Sequence, residues 1–385
     1  MRIDEDYPEL REAIGRLCAR FGDAYWRDLD ERRAYPEAFV AALAEAGCFA
    51  LLIPEAYGGL GLPLRAASVV LETIHASGAN AAACHAQMYM MAALLRHGSE
   101  EQKRRYLPGI ATGELRLQAF AVTEPESGSD TLALRTRARR TDGGWVVEGS
   151  KIWTSRAEHS DLMLLLARTG PSGREKRRSG ELSLFLVDLR TARGRGLEIR
   201  PVATMINHHT TQIFFDGLRL PEDALIGEEG EGFRYILDAM NAERILIASE
   251  CLGDARWFVQ RASAYARERR VFGRPIGQNQ GVQFPIARAY AAREAAELMV
   301  RKACALFDGG RPCGAEANMA KLLASEASWQ AAEVALEVLG GFGFAREFDV
   351  ERKWRETRLY RTAPVSTNLV LAYLAHKVLG LPKSY

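Results

Sequence analysis

Four groups of residues in this chain are of types that do chemistry. The stretch Ala119-Phe-Ala-Val-Thr-Glu-Pro-Glu-Ser-Gly-Ser-Asp130 ends a strand-like run in a loop that carries Thr123 and Ser129. Hydroxyls and free backbone N–H groups in such a loop bind a phosphate or the polar edge of a ring, although the same residues also build an ordinary turn. Lys151-Ile-Trp-Thr-Ser155 places an indole, Trp153, close to a hydroxyl, Ser155. An indole packs on a flat conjugated ring as well as it packs in a core. Arg269 offers a planar fork matched to phosphate oxygens, and beside Arg267 and Arg270 it also reads as a solvated helix charge. The fourth group is Glu243, in Met240-Asn-Ala-Glu-Arg-Ile-Leu-Ile-Ala248. On a helix it shares a face with Ala239, Met240, Leu246 and Ile247, all apolar. Arg244 points about 100° away from it. A carboxylate so placed either meets a cation from another element or has its pKa raised by burial.

Two further clusters carry a blander reading. His208-His209 is an adjacent pair in a loop, poorly arranged to chelate one ion, and reads as surface. Arg174-Glu-Lys-Arg-Arg178 is a basic loop between two strand-like runs, in reach of a phosphate but chiefly a solvated loop. No HExxH, cysteine–histidine cluster, GxGxxG or Walker A loop occurs, so no metal, Rossmann or P-loop site is expected.

The elements that must position these groups fall into three zones. Residues 1–113 show helical spacing, as in Leu10, Ile14, Leu17 and Phe21, broken by Pro54, Gly58-Gly59, Gly61 and Pro63. Residues 114–227 change to short β-rich runs: Leu117 to Val122, Trp145 to Val147, Leu162 to Leu166, Leu182 to Val187 and Gln212 to Phe215. Asp142-Gly143-Gly144 marks a hairpin. Residues 228–385 are helical again, beginning with a proline-free segment from Phe233 to Arg270. The order predicts a mostly α protein with a central β domain, barrel-like or sandwich, and a C-terminal helical bundle. The 385 residues allow a large core, and 51 basic against 49 acidic residues give no reason to expect nucleic acid or a membrane surface as partner. The apolar runs are too short to span a bilayer, and the acidic start lacks a signal-peptide pattern. Six scattered cysteines without a CxxC pair suit reduced thiols in a cytoplasm.

The Ala119–Asp130 stretch resembles the first signature of the acyl-CoA dehydrogenases, FAD enzymes of α–β–α architecture that are usually homotetramers. Further landmarks follow in order: Leu52-Ile-Pro-Glu-Ala-Tyr-Gly-Gly-Leu-Gly61, Gly98-Ser-Glu-Glu-Gln-Lys103, Lys151–Ser155, Arg269-Arg-Val-Phe-Gly273 with Gln280, and Leu339-Gly-Gly-Phe-Gly343. The resemblance covers nearly the whole chain. It implies FAD held by Phe120, Val122, Thr123, Ser129, Trp153 and Ser155, and by Arg269, Phe272, Gln280, Gly340, Gly341 and Ser366. In that family the Arg269 position reaches the FAD pyrophosphate of a neighbouring subunit, which implies at least a dimer. Asn241, Arg244 and Ser129 fall at substrate-contact positions.

The reaction implied removes the α proton of an acyl-CoA and transfers the β hydrogen as hydride to flavin N5, giving a trans-2-enoyl-CoA. An electron-transferring flavoprotein is the expected acceptor. Many family members carry the base near the C-terminus, but alignment through Gly340-Gly341 puts Pro364 there. A minority carry it on the long helix after the sheet, and that resemblance implies Glu243 as base. Pro364 also lacks the backbone N–H that in the family helps polarise the thioester carbonyl. Two other readings share the fold: a flavin monooxygenase without a carbon base, and a non-catalytic flavoprotein binding partner.

Overall fold

In a computed structural model that describes residues 6–170 and 179–383, the chain is mostly helical and contains an eight-stranded mixed β-sheet and a two-stranded hairpin. Six helices come first: α1 (Pro8–Ala19), α2 (Asp23–Arg32), α3 (Glu37–Glu45), α4 (Leu64–Ala76), α5 (Ala82–His97) and α6 (Glu100–Thr112). α6 begins where the sequence supplies a capping box. Ser99 Oγ accepts from Gln102 N (3.1 Å), and Gln102 Oε1 accepts from Ser99 N (2.9 Å). It ends at Gly113, whose φ of 80° suits the left-handed residue that closes a helix.

The sheet strands are β1 (Leu117–Ala121), β2 (Arg137–Thr141), β3 (Gly144–Ser155), β4 (Leu162–Arg168), β5 (Leu182–Asp188), β6 (Leu197–Pro201), β7 (Thr210–Pro221) and β8 (Leu225–Ile226), with a short helix α7 (Leu189–Ala192) after β5. Their order is β6-β7-β3-β2-β4-β5-β8, and β1 pairs in parallel with β4. β2 and β3 form the expected antiparallel hairpin, with Thr141 opposite Gly144. β4 is apolar at nearly every position because both its faces are covered. Leu162, Leu164 and Leu166 join one core with residues of α5 and α6, while Met163 and Leu165 join Phe185, Val187 and Trp145 in another.

Helices then return: α8 (Gly232–Glu268), a two-strand hairpin of β9 (Arg270–Val271) and β10 (Arg274–Pro275), α9 (Gln280–Asp308), α10 (Gly314–Leu339), α11 (Val350–Arg358) and α12 (Thr367–Tyr373). The chain divides into two compact units. One comprises residues 1–34, 63–81 and 241–385; the other comprises 35–62 and 82–240.

In the first unit α4 and α8 approach so closely that a Cβ at Gly253 would stand 2.3 Å from Glu72 O. Ionic contacts reinforce this packing. Buried Glu72 of α4 meets Arg11 of α1 (2.9 Å), Arg256 of α8 (3.1 Å) and Arg293 of α9 (2.9 Å). All six cysteines are free and buried. Among the described residues no helix is long and apolar enough to cross a membrane.

Candidate functional site

The second unit assembles the loop–strand group. After β1 the chain turns back on itself, with Glu124 N donating to Ser127 O (3.0 Å) and Ser127 N to Glu124 O (3.1 Å). Ser127 Oγ donates to Asp130 O (2.6 Å), which rounds the loop off. Ile152 N of β3 donates to Thr123 O (2.9 Å), so Thr123 is fixed beside the strand segment that carries Trp153 and Ser155. A brace that the sequence reading passed over holds this arrangement. Lys151 Nζ donates to Val122 O and to Glu124 Oε1, both at 2.9 Å. Glu124 also accepts from the N–H groups of Arg135 (2.6 Å) and Thr136 (2.8 Å). Burial pushes Lys151 down to about 8 against the pull of Glu124. Burial works against the Glu124 charge too, but Lys151 and the amide donors outweigh it and hold that carboxyl below its usual range.

Phe120, Val122, Thr123 and Ser155 are half-buried, and Ser129 is exposed. Trp153 leaves 57% of its surface open, with φ of 62° turning it out of the pleat. An outward indole beside a hydroxyl loop fits a flat conjugated ring that carries phosphates. His208 and His209 depart from the surface reading. Both are half-buried, His208 against Arg156 (3.3 Å) and His209 against His159 (3.2 Å). The basic loop at 174–178 lies outside the described residues.

The first unit carries the remaining candidates. Glu243 is 6% exposed on α8, and its predicted neighbours Ala239, Leu246 and Ile247 are buried as well. Arg244 donates to Asn241 Oδ1 (3.2 Å), and Glu243 is close enough to favour its charge against the burial that lowers it. The Glu243 face is less apolar further along than the sequence reading allowed. At about 100° per residue, positions 250 and 254 return to within about 20° of position 243. Glu250 and Asp254 there are buried. Asp254 meets His75 Nδ1 (2.8 Å) and Lys353 Nζ (2.5 Å), and His75 Nε2 accepts from Ala81 N (3.1 Å). That last bond makes the ring a neutral Nδ1–H tautomer facing Asp254. Burial alone would raise the Asp254 carboxyl, but Lys353 and His75 bring it below its usual value.

Pro364 stands in the turn between α11 and α12. Next to it, Val365 O accepts from Lys321 Nζ of α10 (2.7 Å). Burial holds Lys321 down at about 8, with Arg244 and Arg361 adding positive charge nearby. Ser366 caps α12, accepting from Leu369 N (3.4 Å). Arg269 is exposed at the end of α8, with its guanidinium 5.9 Å from the Phe342 ring. Arg269 is thereby brought to the Gly340–Phe344 turn, where Gly340 and Gly341 have open space around a Cβ. Phe272 on the β9–β10 hairpin is fully exposed, and Gln280 opens α9 at the surface. Among the described residues no cluster of three or more His, Cys, Asp or Glu could hold a metal ion.

Three family models match the chain in succession. They are the acyl-CoA dehydrogenase N-terminal domain over residues 4–114, the middle domain over 119–218 and the C-terminal domain over 230–375. The acyl-CoA dehydrogenase fadE12 of Mycobacterium bovis is 34% identical over 394 residues, covering 99% of this chain and 98% of the relative. The mitochondrial short-chain specific acyl-CoA dehydrogenase of Bos taurus is 31% identical over 364 residues, covering 92% of this chain and 86% of the relative. A glutaryl-coenzyme A dehydrogenase in complex with glutaryl-CoA matches in structure with a TM-score of 0.92 at 29% identity, covering 100% of this chain and 98% of the other.

Proposed function

Because the chain belongs to the acyl-CoA dehydrogenase family, and is thus an FAD-dependent oxidoreductase acting on acyl-CoA, we propose that it forms trans-2-enoyl-CoA with Glu243 as the α-proton base. The observation that carries this reading is a buried carboxylate on α8 in a chain that has proline where many relatives have their glutamate. FAD, when bound, accepts the β hydride at N5. Phe120, Val122, Thr123, Ser129, Trp153 and Ser155 hold its ring and phosphates, and Ser366, Gly340 and Gly341 are further cofactor contacts. Trp153 supplies a flat apolar face and Ser155 a hydroxyl. Asn241 and Arg244, joined to each other, bind the thioester substrate near the base, and Ser129 is a further substrate contact.

Arg269, Phe272 and Gln280 serve a neighbouring copy's cofactor in a homotetramer. The outward Phe272, Phe344 and Leu298, which a lone chain would leave in water, support that assembly. An electron-transferring flavoprotein takes the electrons. The test is anaerobic flavin bleaching by a panel of straight, branched and aromatic acyl-CoAs. Wild type is expected to bleach with at least one of them. Glu243→Gln is expected to bind the same acyl-CoA yet bleach about 10²- to 10⁴-fold more slowly. Full-speed bleaching by Glu243→Gln would remove the residue from the mechanism. Bleaching by no acyl-CoA would favour the monooxygenase reading.

A further inference from the structure

The end of β3 is held in an unusual way. Trp153 (φ 62°), Arg156 (φ 57°) and His209 (φ 49°) all lie in the left-handed region that residues other than glycine seldom occupy. Such a backbone persists only where its surroundings over-determine it. Here Arg156 N donates to His209 O (2.7 Å), which ties the strand end to the start of β7. Ser160 Oγ donates to Arg156 O (2.9 Å), and Arg193 donates to the carbonyls of Ala157 (2.9 Å), Glu158 (3.0 Å) and Ser160 (3.2 Å).

The remaining ties are made by imidazoles. Arg156 Nη1 lies 3.3 Å from His208 Nε2. A guanidinium only donates, so that nitrogen accepts and the His208 ring is neutral. His159 Nε2 lies 3.2 Å from His209 Nδ1, which requires one donor and one acceptor. The His159 ring stacks on Tyr35, with centroids 4.3 Å apart and planes 14° apart. Tyr35 in turn donates to Gln118 (2.8 Å).

We propose that Arg156, His159, His208 and His209 are positioning residues for the flavin-facing end of β3, a brace of neutral rings whose protonation releases FAD in mild acid. The proposal rests on the assignment of Trp153 and Ser155 to the flavin. A proton on His208 would set two cations against each other across the Arg156 contact. A proton on both His159 and His209 would leave no acceptor between them.

The charged surroundings favour the neutral state. His159 faces His209, Tyr35, Arg116 and Arg193, with Glu37 as the opposing anion. His208 faces Arg156, His209 and His85. Burial, then these neighbours, push His159 down to about 4 and His208 well below its usual value. The folded form thus binds fewer protons than the unfolded one below about pH 6.5. The stability of the brace falls as pH drops through that window towards the depressed values.

The experiment follows FAD retention by the holoenzyme, read as flavin fluorescence in the filtrate after ultrafiltration, from about pH 7.5 to about pH 4.5. Wild type should keep FAD at the upper end and release it progressively on acidification. His159→Gln, neutral at every pH and able to bond His209, should move the release midpoint down by about half a pH unit or more. His208→Asn repeats the test at the Arg156 contact should His159→Gln fail to fold. The brace is overturned if the folded variants release FAD at the wild-type midpoint, or if wild type keeps its FAD throughout. A wild-type protein that holds no FAD at the upper end would instead overturn the flavin assignment on which the brace depends.

Discussion

The two regions that carry the candidate site residues are secured by different means. The loop after β1 is tied to β3 by backbone bonds and by one compact ion pair, Lys151–Glu124, whose members lie 27 residues apart. The proposed base stands on a helix whose charged contacts come from distant segments, as when Asp254 of α8 meets His75 of α4 and Lys353 of α11. A surface that must fit a rigid ring needs several groups in fixed register, which a strand and its adjoining loop provide. A general base needs only one carboxylate within reach of the proton, and any element facing that atom can supply it. On the proposed assignment, the loop and strand would tolerate little rearrangement, whereas a base could be moved between elements.

The harshest break of this contrast is to move the base. Glu243→Ala should slow anaerobic flavin reduction by about 10²- to 10⁴-fold. Pro364→Glu in that background returns both a carboxylate and a backbone N–H to the turn between α11 and α12. Recovery of about tenfold or more in stopped-flow reduction is expected, worth about 1.4 kcal/mol of barrier. A double variant as slow as Glu243→Ala would show that the turn no longer faces the substrate.

The loop and strand should fail differently. Lys151→Met leaves Glu124 buried and charged without its cation, which costs about 3–5 kcal/mol. Chemical denaturation should show that loss together with weaker FAD binding. Adding Glu124→Gln should recover much of the stability, because no unpaired charge then remains. If Lys151→Met unfolds at the wild-type midpoint, the pair contributes nothing to the loop.

The same contrast accounts for what could be read from sequence. β4 and β5 were legible as unbroken apolar runs, and α8 as a long proline-free helix, because burial on both faces and helical spacing leave local patterns. β2 was missed. Its sequence, Arg-Ala-Arg-Arg-Thr, is charged because most of the strand is exposed, and it is a strand through its pairing with β3. The loop after β1 could be singled out as a candidate because its hydroxyl-bearing residues are contiguous. Lys151 was quoted within the strand motif, but its partner across the loop was not visible. His208 and His209 were misread because nothing in Asn207–Thr211 announces partners at positions 35, 156 and 159. The buried run of Glu250 and Asp254 below Glu243 was overlooked for the same reason, since its cation lies about a hundred residues further on.

A neutral brace in the same unit as the ion pair sharpens the comparison with the smallest expected effect. Gln102 of α6 accepts from Ser99 N at the helix start, and its Nε2 donates to Asp223 O (2.7 Å) and Leu225 O (2.9 Å), tying α6 to the approach to β8. Its amide makes three bonds and carries no charge. Gln102→Met keeps the volume and removes all of them, leaving two carbonyls and one N–H to find water. With the net worth of each bond near 1 kcal/mol, the loss should be about 2–3 kcal/mol. Salt should leave this loss unchanged, because no ion is involved, and FAD retention should follow the wild-type pH curve. An acid shift in Gln102→Met comparable to that of His159→Gln would mean that any weakening of this unit sheds FAD. The pH response would then belong to the whole unit rather than to the imidazoles at the end of β3.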